Sequence, residues 1–293
     1  MSETYFETEL VAPAAVRPSW YRSLGAFFFW LTLHFLPLIP RNFVEVAAGG
    51  ELVPILPPLA ALAFDLALAA AFIWWFAGRH DGEADYRRTT FQLRPIASPV
   101  LSRLAFVAVP LVATVILSLI IVPRFIPIPV EKANPLDAYL KRPFGVVAVL
   151  SMVSLVAPLL EEFLFRGWLQ SRLLRVLSPA SAIFASSIIF SLVHFQTFGF
   201  ASRLIFALTA GYLAWSTRSV WPGVVLHGLY NGVLVSGGEA TPGIDDAVLT
   251  RWAHTPSIFF PAVLGFAVSA LLLVAALRVV ARAAHAQPTP AAG

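Results

Sequence analysis

Long apolar runs separated by short polar or Pro/Gly-rich breaks dominate the hydrophobic pattern of the chain. An uninterrupted apolar run of about 18 residues or more is typical of a membrane-spanning helix. The runs predict helices at residues 24–40, 52–77, 100–122, 144–176, 180–196, 202–216, 221–236 and 257–280. We therefore predict an all-α fold, a polytopic membrane helical bundle with about eight transmembrane helices.

The composition supports this fold class and narrows the chemistry. Hydrophobic residues make up 58% of the chain and charged residues 12%, whereas about a quarter of an ordinary soluble domain is charged. The absence of cysteine excludes disulfides, thiolate catalysis, iron–sulfur clusters and Cys-ligated zinc. Any reaction must therefore use carboxylates, imidazoles, amides or hydroxyls.

The charge balance indicates a membrane partner. The chain has a net charge of +4. In a membrane protein such an excess of Lys and Arg usually lies in cytoplasmic loops that face anionic lipid, so we expect membrane lipid and no nucleic acid as a partner. With eight spans, both termini lie on one side of the membrane. More of the Lys and Arg residues fall on that side, and the positive-inside rule predicts that both termini are cytoplasmic.

Ionisable residues inside the apolar runs are the candidates for function. On insertion scales each costs roughly 2.5 to 3.5 kcal/mol at the centre of a membrane helix, so its presence suggests a role. The candidates are the adjacent pair Glu161 and Glu162, His194, His227 with the nearby amide Asn231, and Asp65.

Two helical spacings indicate that several of these side chains converge. The serine–proline break at 178–179 predicts a turn between the fourth and fifth helices. Glu161 and His194 lie at nearly equal separations from this turn, about 25 Å along each helix axis, so an antiparallel hairpin brings them to similar depth. His227 and Asn231 are four residues apart and share one helical face.

Pro158 stands one turn before the paired glutamates. Its missing N–H leaves the Ser154 carbonyl without its usual helical partner. We therefore expect a kink just before Glu161.

These groups suit hydrolysis by an activated water. A buried glutamate beside an imidazole can take a proton from water, while an amide and a second imidazole can stabilise an oxyanion. A metal alternative uses Glu161, His194 and His227 as Zn²⁺ ligands with an open position for water, although no His-Glu-x-x-His signature is present. We expect Arg166 to pair with a carboxylate or to lie at the lipid headgroups.

Three short motifs in the chain resemble those of the CPBP family. They are EEFLFR, with Glu161, Glu162 and Arg166; FSLVH, ending in His194; and HGLYN, with His227 and Asn231. The family comprises intramembrane endopeptidases of the CAAX prenyl protease 2 type and bacteriocin-processing or bacteriocin-immunity relatives. Its patterns E-E-x-x-x-R, F-x-x-x-H and H-x-x-x-N occur here in the same order on successive predicted helices.

The resemblance implies a role for each motif residue. Glu161 and His194 activate the attacking water, His227 and Asn231 stabilise the oxyanion, and Glu162 supports the site. Members are also described as metalloproteases, which makes Zn²⁺ the cofactor to test. In the eukaryotic relatives the substrate is a prenylated CAAX protein, so we expect a membrane-associated peptide or protein as substrate.

The apolar runs, the composition and the resemblance together indicate how the chain is divided and where it resides. We expect a multi-pass protein of a bacterial cell membrane. Its predicted parts are a cytoplasmic N-terminal segment at 1–23, N-terminal transmembrane helices and loops at 24–143, a CAAX-protease-like catalytic core at 144–280, and a disordered tail at 281–293.

Two other functions remain open at this point. A catalytically silent member would act as an immunity or scaffold protein, although the complete set of costly buried residues argues against it. A proton-coupled carrier would use the same acids and place Asp65 near Glu161. The protease hypothesis instead lets Asp65 form a hydrogen bond between helices.

Overall fold

The computed structural model describes residues 20–35, 57–75, 96, 98–128, 140, 142–194, 197–240 and 246–286. Every regular element in these ranges is helical, which confirms the predicted all-α class. The described helices are α1 (Trp20–Phe35), α2 (Pro58–Ile73), α3 (Leu104–Ile121), α4 (Gly145–Leu173), α5 (Pro179–Leu192), α6 (Phe200–Thr217), α7 (Trp221–Ala240), α8 (Asp246–His254) and α9 (Pro256–His285).

Each of the eight predicted spans overlaps one of these helices. By length and composition, the segment Ser98–Arg124, which includes α3, is apolar enough to cross a membrane, and so are α4 and α9. The apolar helices α2 and α5 are shorter. These helices support an integral membrane protein, and the number of crossings stays a prediction.

Large apolar side chains on the outer faces of α3 and α9 fit a lipid surrounding. Phe106 and Val109 are 66% and 72% exposed, and Leu264 and Leu271 are 67% and 71% exposed. An apolar surface of this kind is unfavourable in water and is favourable against acyl chains.

Contacts divide the chain into two compact units, which are Met1–Arg94 with Ala133–Ser178 and Pro95–Lys132 with Pro179–Gly293. In the first unit, α2 packs against the N-terminal half of α4, and α1 packs against the C-terminal half. In the second unit, α6 packs against α3, α5, α7 and α9, so it is the central helix of that unit.

Small and hydroxyl side chains bring α3 and α9 close together. The Thr114 hydroxyl lies 3.0 Å from the Ser269 hydroxyl and 2.6 Å from the Pro110 carbonyl oxygen. A Cβ atom added at Gly265 would lie 3.2 Å from the Leu117 Cδ1 atom. Close packing and hydrogen bonds of this kind hold helices together in lipid, where hydrophobic burial gives little drive for association.

The interruption expected at Pro158 takes the form of a π-helical turn. Met152–Val156 is π-helical, and the Ala157 N–H donates to the Met152 carbonyl five residues earlier. The wider turn carries the chain past a residue that has no N–H to donate. A second π-helical segment, Phe163–Gln170, follows the paired glutamates directly.

Several helix ends differ from the prediction. Helix α2 begins at Pro58, because proline at the first helical position favours a start there, and the predicted residues 52–56 lie outside the described ranges. Helix α5 ends at Leu192, short of the predicted residue 196. Helix α9 continues to His285, five residues beyond the predicted end at 280 and into the predicted tail 281–293, of which residues 287–293 lie outside the described ranges.

The prediction missed α8. It is short and polar, with Asp246 in its first turn and Arg251 and His254 in its last, an arrangement that complements the helix dipole. A search for long apolar runs does not detect such a helix. The predicted segmentation at 1–23, 24–143 and 144–280 stays a prediction.

Because the chain has no cysteine, cysteines introduced one at a time can test the orientation of α9 in the membrane. We expect Ala286→Cys to react with a membrane-impermeant maleimide from the cytoplasmic face, and Thr250→Cys from the opposite face, because the 30-residue helix between them is long enough to cross. Sealed vesicles of both orientations provide the measurement. Labelling of both thiols from one face would show that α9 does not cross, and the reverse pattern would contradict the cytoplasmic assignment.

Candidate active site

Three charged side chains are buried together in the middle of α4. Glu161 is 5% exposed, Glu162 is 0% exposed and Arg166 is 1% exposed. They lie where the α-helical segment Ala157–Glu162 passes into the π-helical segment Phe163–Gln170. Because buried charges are costly unless they are paired, this arrangement requires a partner for each acid.

Arg166 is the partner of Glu162. Its Nη1 atom lies 3.2 Å from the Glu162 Oε1 atom, with the two residues four apart on the same helix. The guanidinium therefore balances the charge of one carboxylate of the adjacent pair.

Glu161 borders a small cavity within the first unit. The cavity has a volume of about 10 Å³ and is lined by Glu161, Trp30, Phe72, Leu160 and Leu164. About 10 to 15 Å³, measured in the same way, is the space that one water molecule needs. Glu161 thus borders room for about one water between otherwise apolar or aromatic walls.

Aromatic rings from α1 support this part of α4. The Phe27 ring packs edge-on against Phe165, with centroids 5.4 Å apart, and is stacked on Trp168 at the same separation. The Trp168 ring has a second neighbour, the Arg172 guanidinium, which lies 4.4 Å from the ring centre and makes a cation–π contact with it. These contacts fix the π-helical segment that carries Arg166.

Asp65 is a buried residue of the first unit that is not among the residues lining the Glu161 cavity. It is 4% exposed on α2 and lies seven residues before Phe72, which borders the Glu161 cavity. Seven helical residues correspond to about 10 Å along the axis. The carrier hypothesis, which needs Asp65 near Glu161, gains no support from this position.

The turn after α5 fixes the tautomer of His194. The His194 Nδ1 atom lies 2.8 Å from the Phe190 carbonyl oxygen. A carbonyl can only accept a hydrogen bond, so Nδ1 carries the proton and donates it. In the neutral ring, Nε2 is then the nitrogen that can accept a proton or bind a metal.

Phe190 lies between the two imidazoles of the second unit. Its ring centroid is 4.9 Å from that of His194 and 5.8 Å from that of His227. His227, which is 3% exposed, also packs against Phe206 with centroids 4.3 Å apart. Both imidazoles are therefore held by aromatic contacts within one unit.

Asn231 lies one turn after His227 on α7, and it is partly exposed. The neighbouring Tyr230 ring stacks on Phe206 at 5.0 Å. The stacking orients this turn of α7, with the amide and the imidazole four residues apart on one face.

The structure brings the predicted residues together in two groups. Glu161, Glu162 and Arg166 are neighbours in the first unit, and His194 and His227 share the Phe190 contact in the second. The joint action of the two groups stays a prediction.

The sequence analysis missed the aromatic residues that hold these groups, chiefly Trp30, Phe72, Phe206 and Tyr230. Phenylalanine is frequent in this chain, with 24 residues, so its position in an apolar run carries little information. Tyr230 was the easiest of these residues to find from the sequence, because it directly precedes Asn231 in the motif HGLYN.

The donor chemistry of the predicted zinc ligands is suitable, since Zn²⁺ binds imidazole nitrogen and carboxylate oxygen. Across the described residues, however, no group of three or more His, Cys, Asp or Glu side chains is arranged to hold a metal ion. The ligand set Glu161, His194 and His227 therefore stays a prediction, and no step below depends on a metal.

Comparison with known families identifies the segment that carries these motifs. Residues 143–233 match the family described as Type II CAAX prenyl endopeptidase Rce1-like. This match confirms the resemblance seen in the motifs, over about a third of the 293-residue chain, and supports a CAAX-type intramembrane protease in general. No curated protein and no solved structure matches the chain significantly.

The Glu162–Arg166 pair makes a prediction about stability. Removal of one partner leaves an uncompensated buried charge, so Glu162→Gln and Arg166→Met should each destabilise the fold by about 3 to 5 kcal/mol. The double variant should cost less than the sum of the two. Thermal unfolding of detergent-purified protein measures the three effects.

Arg251→Gln, an exposed change on α8, is the control and should have little effect. Strict additivity of the Glu162 and Arg166 effects would show that the pair does not act as a unit.

Proposed function

We propose that the chain is an intramembrane endopeptidase that hydrolyses peptide bonds of membrane-associated proteins with a water activated by Glu161 and His194. One observation carries the proposal: Glu161 is a buried carboxylate beside a cavity of about 10 Å³, in the segment that matches an endopeptidase family. A carboxylate shielded from bulk water and facing room for one water is suited to general-base catalysis.

The first step is attack by that water on the scissile carbonyl carbon. The water oxygen forms the new C–O bond while one of its protons passes to the Glu161 carboxylate. His194 orients the water by accepting a hydrogen bond from its second O–H at Nε2, because Nδ1–H is committed to the Phe190 carbonyl; this hydrogen stays on the oxygen. The carbonyl electron pair moves to oxygen and gives a tetrahedral oxyanion.

His227 and Asn231 stabilise the oxyanion by donating hydrogen bonds to it. Donors that are fixed before the reaction are worth more than mobile ones, because they need no reorganisation when the charge develops. The contacts of His227 with Phe190 and Phe206 provide this fixation.

The intermediate then collapses with cleavage of the C–N bond. The proton held by Glu161 passes to the leaving nitrogen, and the products are an amine and a carboxylic acid, which then gives up its proton to become a carboxylate. No covalent enzyme intermediate forms, so no Ser or Cys nucleophile is needed.

Glu162 and Arg166 have a supporting role in this scheme. Their ion pair balances the charge of Glu162 and fixes the turn of α4 that carries Glu161. The site then keeps one carboxylate as the base rather than two acids that repel each other.

The substrate class follows from the matched family. We infer that the substrates are membrane-associated proteins, with prenylated CAAX-type proteins as the first to test, and that the enzyme acts in a bacterial cell membrane with both termini in the cytoplasm.

Substitution of the proposed base and its partner tests the mechanism. Glu161→Gln and His194→Asn should each reduce cleavage by about 10²- to 10⁴-fold, the usual contribution of a general base, and the alanine variants should abolish it. The assay is cleavage of a quenched fluorescent lipidated peptide, with unmodified membrane peptides alongside, by detergent-purified protein.

Asparagine at 194 can still donate to the Phe190 carbonyl, so this variant should unfold at the wild-type temperature. Arg282→Gln, an exposed change near the end of α9, should cleave as the wild type does. Activity retained by either Glu161→Gln or His194→Asn would contradict the mechanism. Cleavage of no peptide by a well-folded wild type would favour an immunity or scaffold role.

Metal dependence is tested separately. If Glu161 and His194 alone activate the water, chelator-treated protein should retain full activity with no stoichiometric metal, as measured by elemental analysis of the assayed sample. Activity that disappears with the chelator and returns with zinc would instead favour ligation by Glu161, His194 and His227.

A further inference from the structure

A second cavity lies in the second unit among α3, α5, α6 and α9. Its volume is about 840 Å³, within the range of about 300 to 1,000 Å³ that is typical of sites for small molecules. None of the residues proposed for catalysis lines it. It is therefore a feature that the peptidase mechanism does not use.

The walls of this cavity are largely apolar. Phe184 comes from α5, Ile205 and Leu208 from α6, and Phe266 and Leu273 from α9. Phe184 is 56% exposed, so the cavity is a groove whose outer wall meets the surroundings of the protein. For a helix bundle in a membrane, those surroundings are acyl chains.

The length of the groove is close to the depth of one leaflet. Along α9 it extends from Phe266 to Arg278, which is about 18 Å at 1.5 Å per residue. Half of the hydrocarbon core of a bilayer is about 15 Å thick. A single acyl chain that lies along the groove therefore ends near Arg278.

The groove is polar and cationic near Arg278. Ser181 at the start of α5 and Tyr212 near the end of α6 also line the cavity, and none of its lining residues is acidic. An anionic headgroup would meet the Arg278 guanidinium there, and the predicted topology places the start of α5 and the end of α6, which carry the two hydroxyls, on the same side of the membrane. Anionic lipid is enriched in the cytoplasmic leaflet, which is the predicted side of the C-terminal end of α9.

From this combination we propose that the groove binds one anionic phospholipid, with an acyl chain along Phe184, Ile205 and Phe266 and the headgroup at Arg278. The bound lipid joins α5 and α6 to α9. Since α5 and α6 also carry Phe190 and Phe206, the lipid supports the hairpin that holds the two imidazoles.

Two matched pairs of variants test the site on the full-length protein. Arg278→Gln removes the headgroup contact, and its control is Arg282→Gln, one turn later and outside the groove. Ala270→Trp fills the groove, and its control is Leu271→Trp, a neighbouring position that is 71% exposed. Native mass spectrometry measures lipid retained from an equal mixture of dioleoyl phosphatidylglycerol and dioleoyl phosphatidylcholine.

We expect the wild type to retain one phosphatidylglycerol in about fivefold preference to phosphatidylcholine, the contribution of one Arg near a lipid surface. Arg278→Gln should lose the preference, and Ala270→Trp should lose both lipids. Each control should behave as the wild type. Phosphatidylglycerol should also raise the unfolding temperature of the wild type, because a ligand stabilises the state that binds it.

Several results would overturn the proposal. They are an unchanged preference in Arg278→Gln, wild-type retention in Ala270→Trp, and displacement of the lipid by a farnesylated cysteine ester, which would assign the groove to a prenyl chain. If Ala270→Trp does not fold, the exposed pair Arg278→Gln and Arg282→Gln still decides the outcome. The assay does not involve cleavage, so a failure here is separate from a failure of the peptidase proposal.

Discussion

The burial of two adjacent carboxylates in an apolar helix is the constraint on which the first unit depends. Neither acid belongs in hydrocarbon, yet Glu161 and Glu162 are both buried in α4. Arg166 balances one of the charges from a turn away, and Phe27 of α1 packs on the rings at either side of that arginine. The N-terminal helix is thus part of the support for the charges as well as a candidate membrane span.

The second unit holds its polar groups differently. Its two imidazoles lie among phenylalanine rings, and one carbonyl sets the tautomer of His194. Aromatic contacts restrict the orientation of a ring without imposing a charge on it. An imidazole held in this way keeps its two ring nitrogens in a fixed orientation.

Much of this structure could be predicted from the sequence because bilayer thickness imposes a simple pattern on it. Apolar runs located eight of the nine helices described above, and the cost of buried charge led to Glu161, Glu162, His194 and His227 as candidates. The form of the break at Pro158 could not be predicted, since a π-helical turn depends on the packing of neighbouring helices. The polar helix α8 lacked any apolar run, and the rings around the site are indistinguishable in sequence from other phenylalanines in a chain that has 24 of them.

The π-helical segment Phe163–Gln170 has a consequence for how the length of this chain can change. A π-helical turn accommodates more residues than an α-helical turn over the same rise. Deletion of one residue there can convert the stretch into a regular α-helix whose two flanks keep nearly the same rotation, because the π-helical turn is what holds the extra residue. A deletion between Glu162 and Arg166 would change their spacing from four residues to three, which still places them on one helical face. A single-residue deletion in this stretch should therefore disturb the flanking helix less than a deletion in a regular α-helical stretch, where it rotates one side by about 100°.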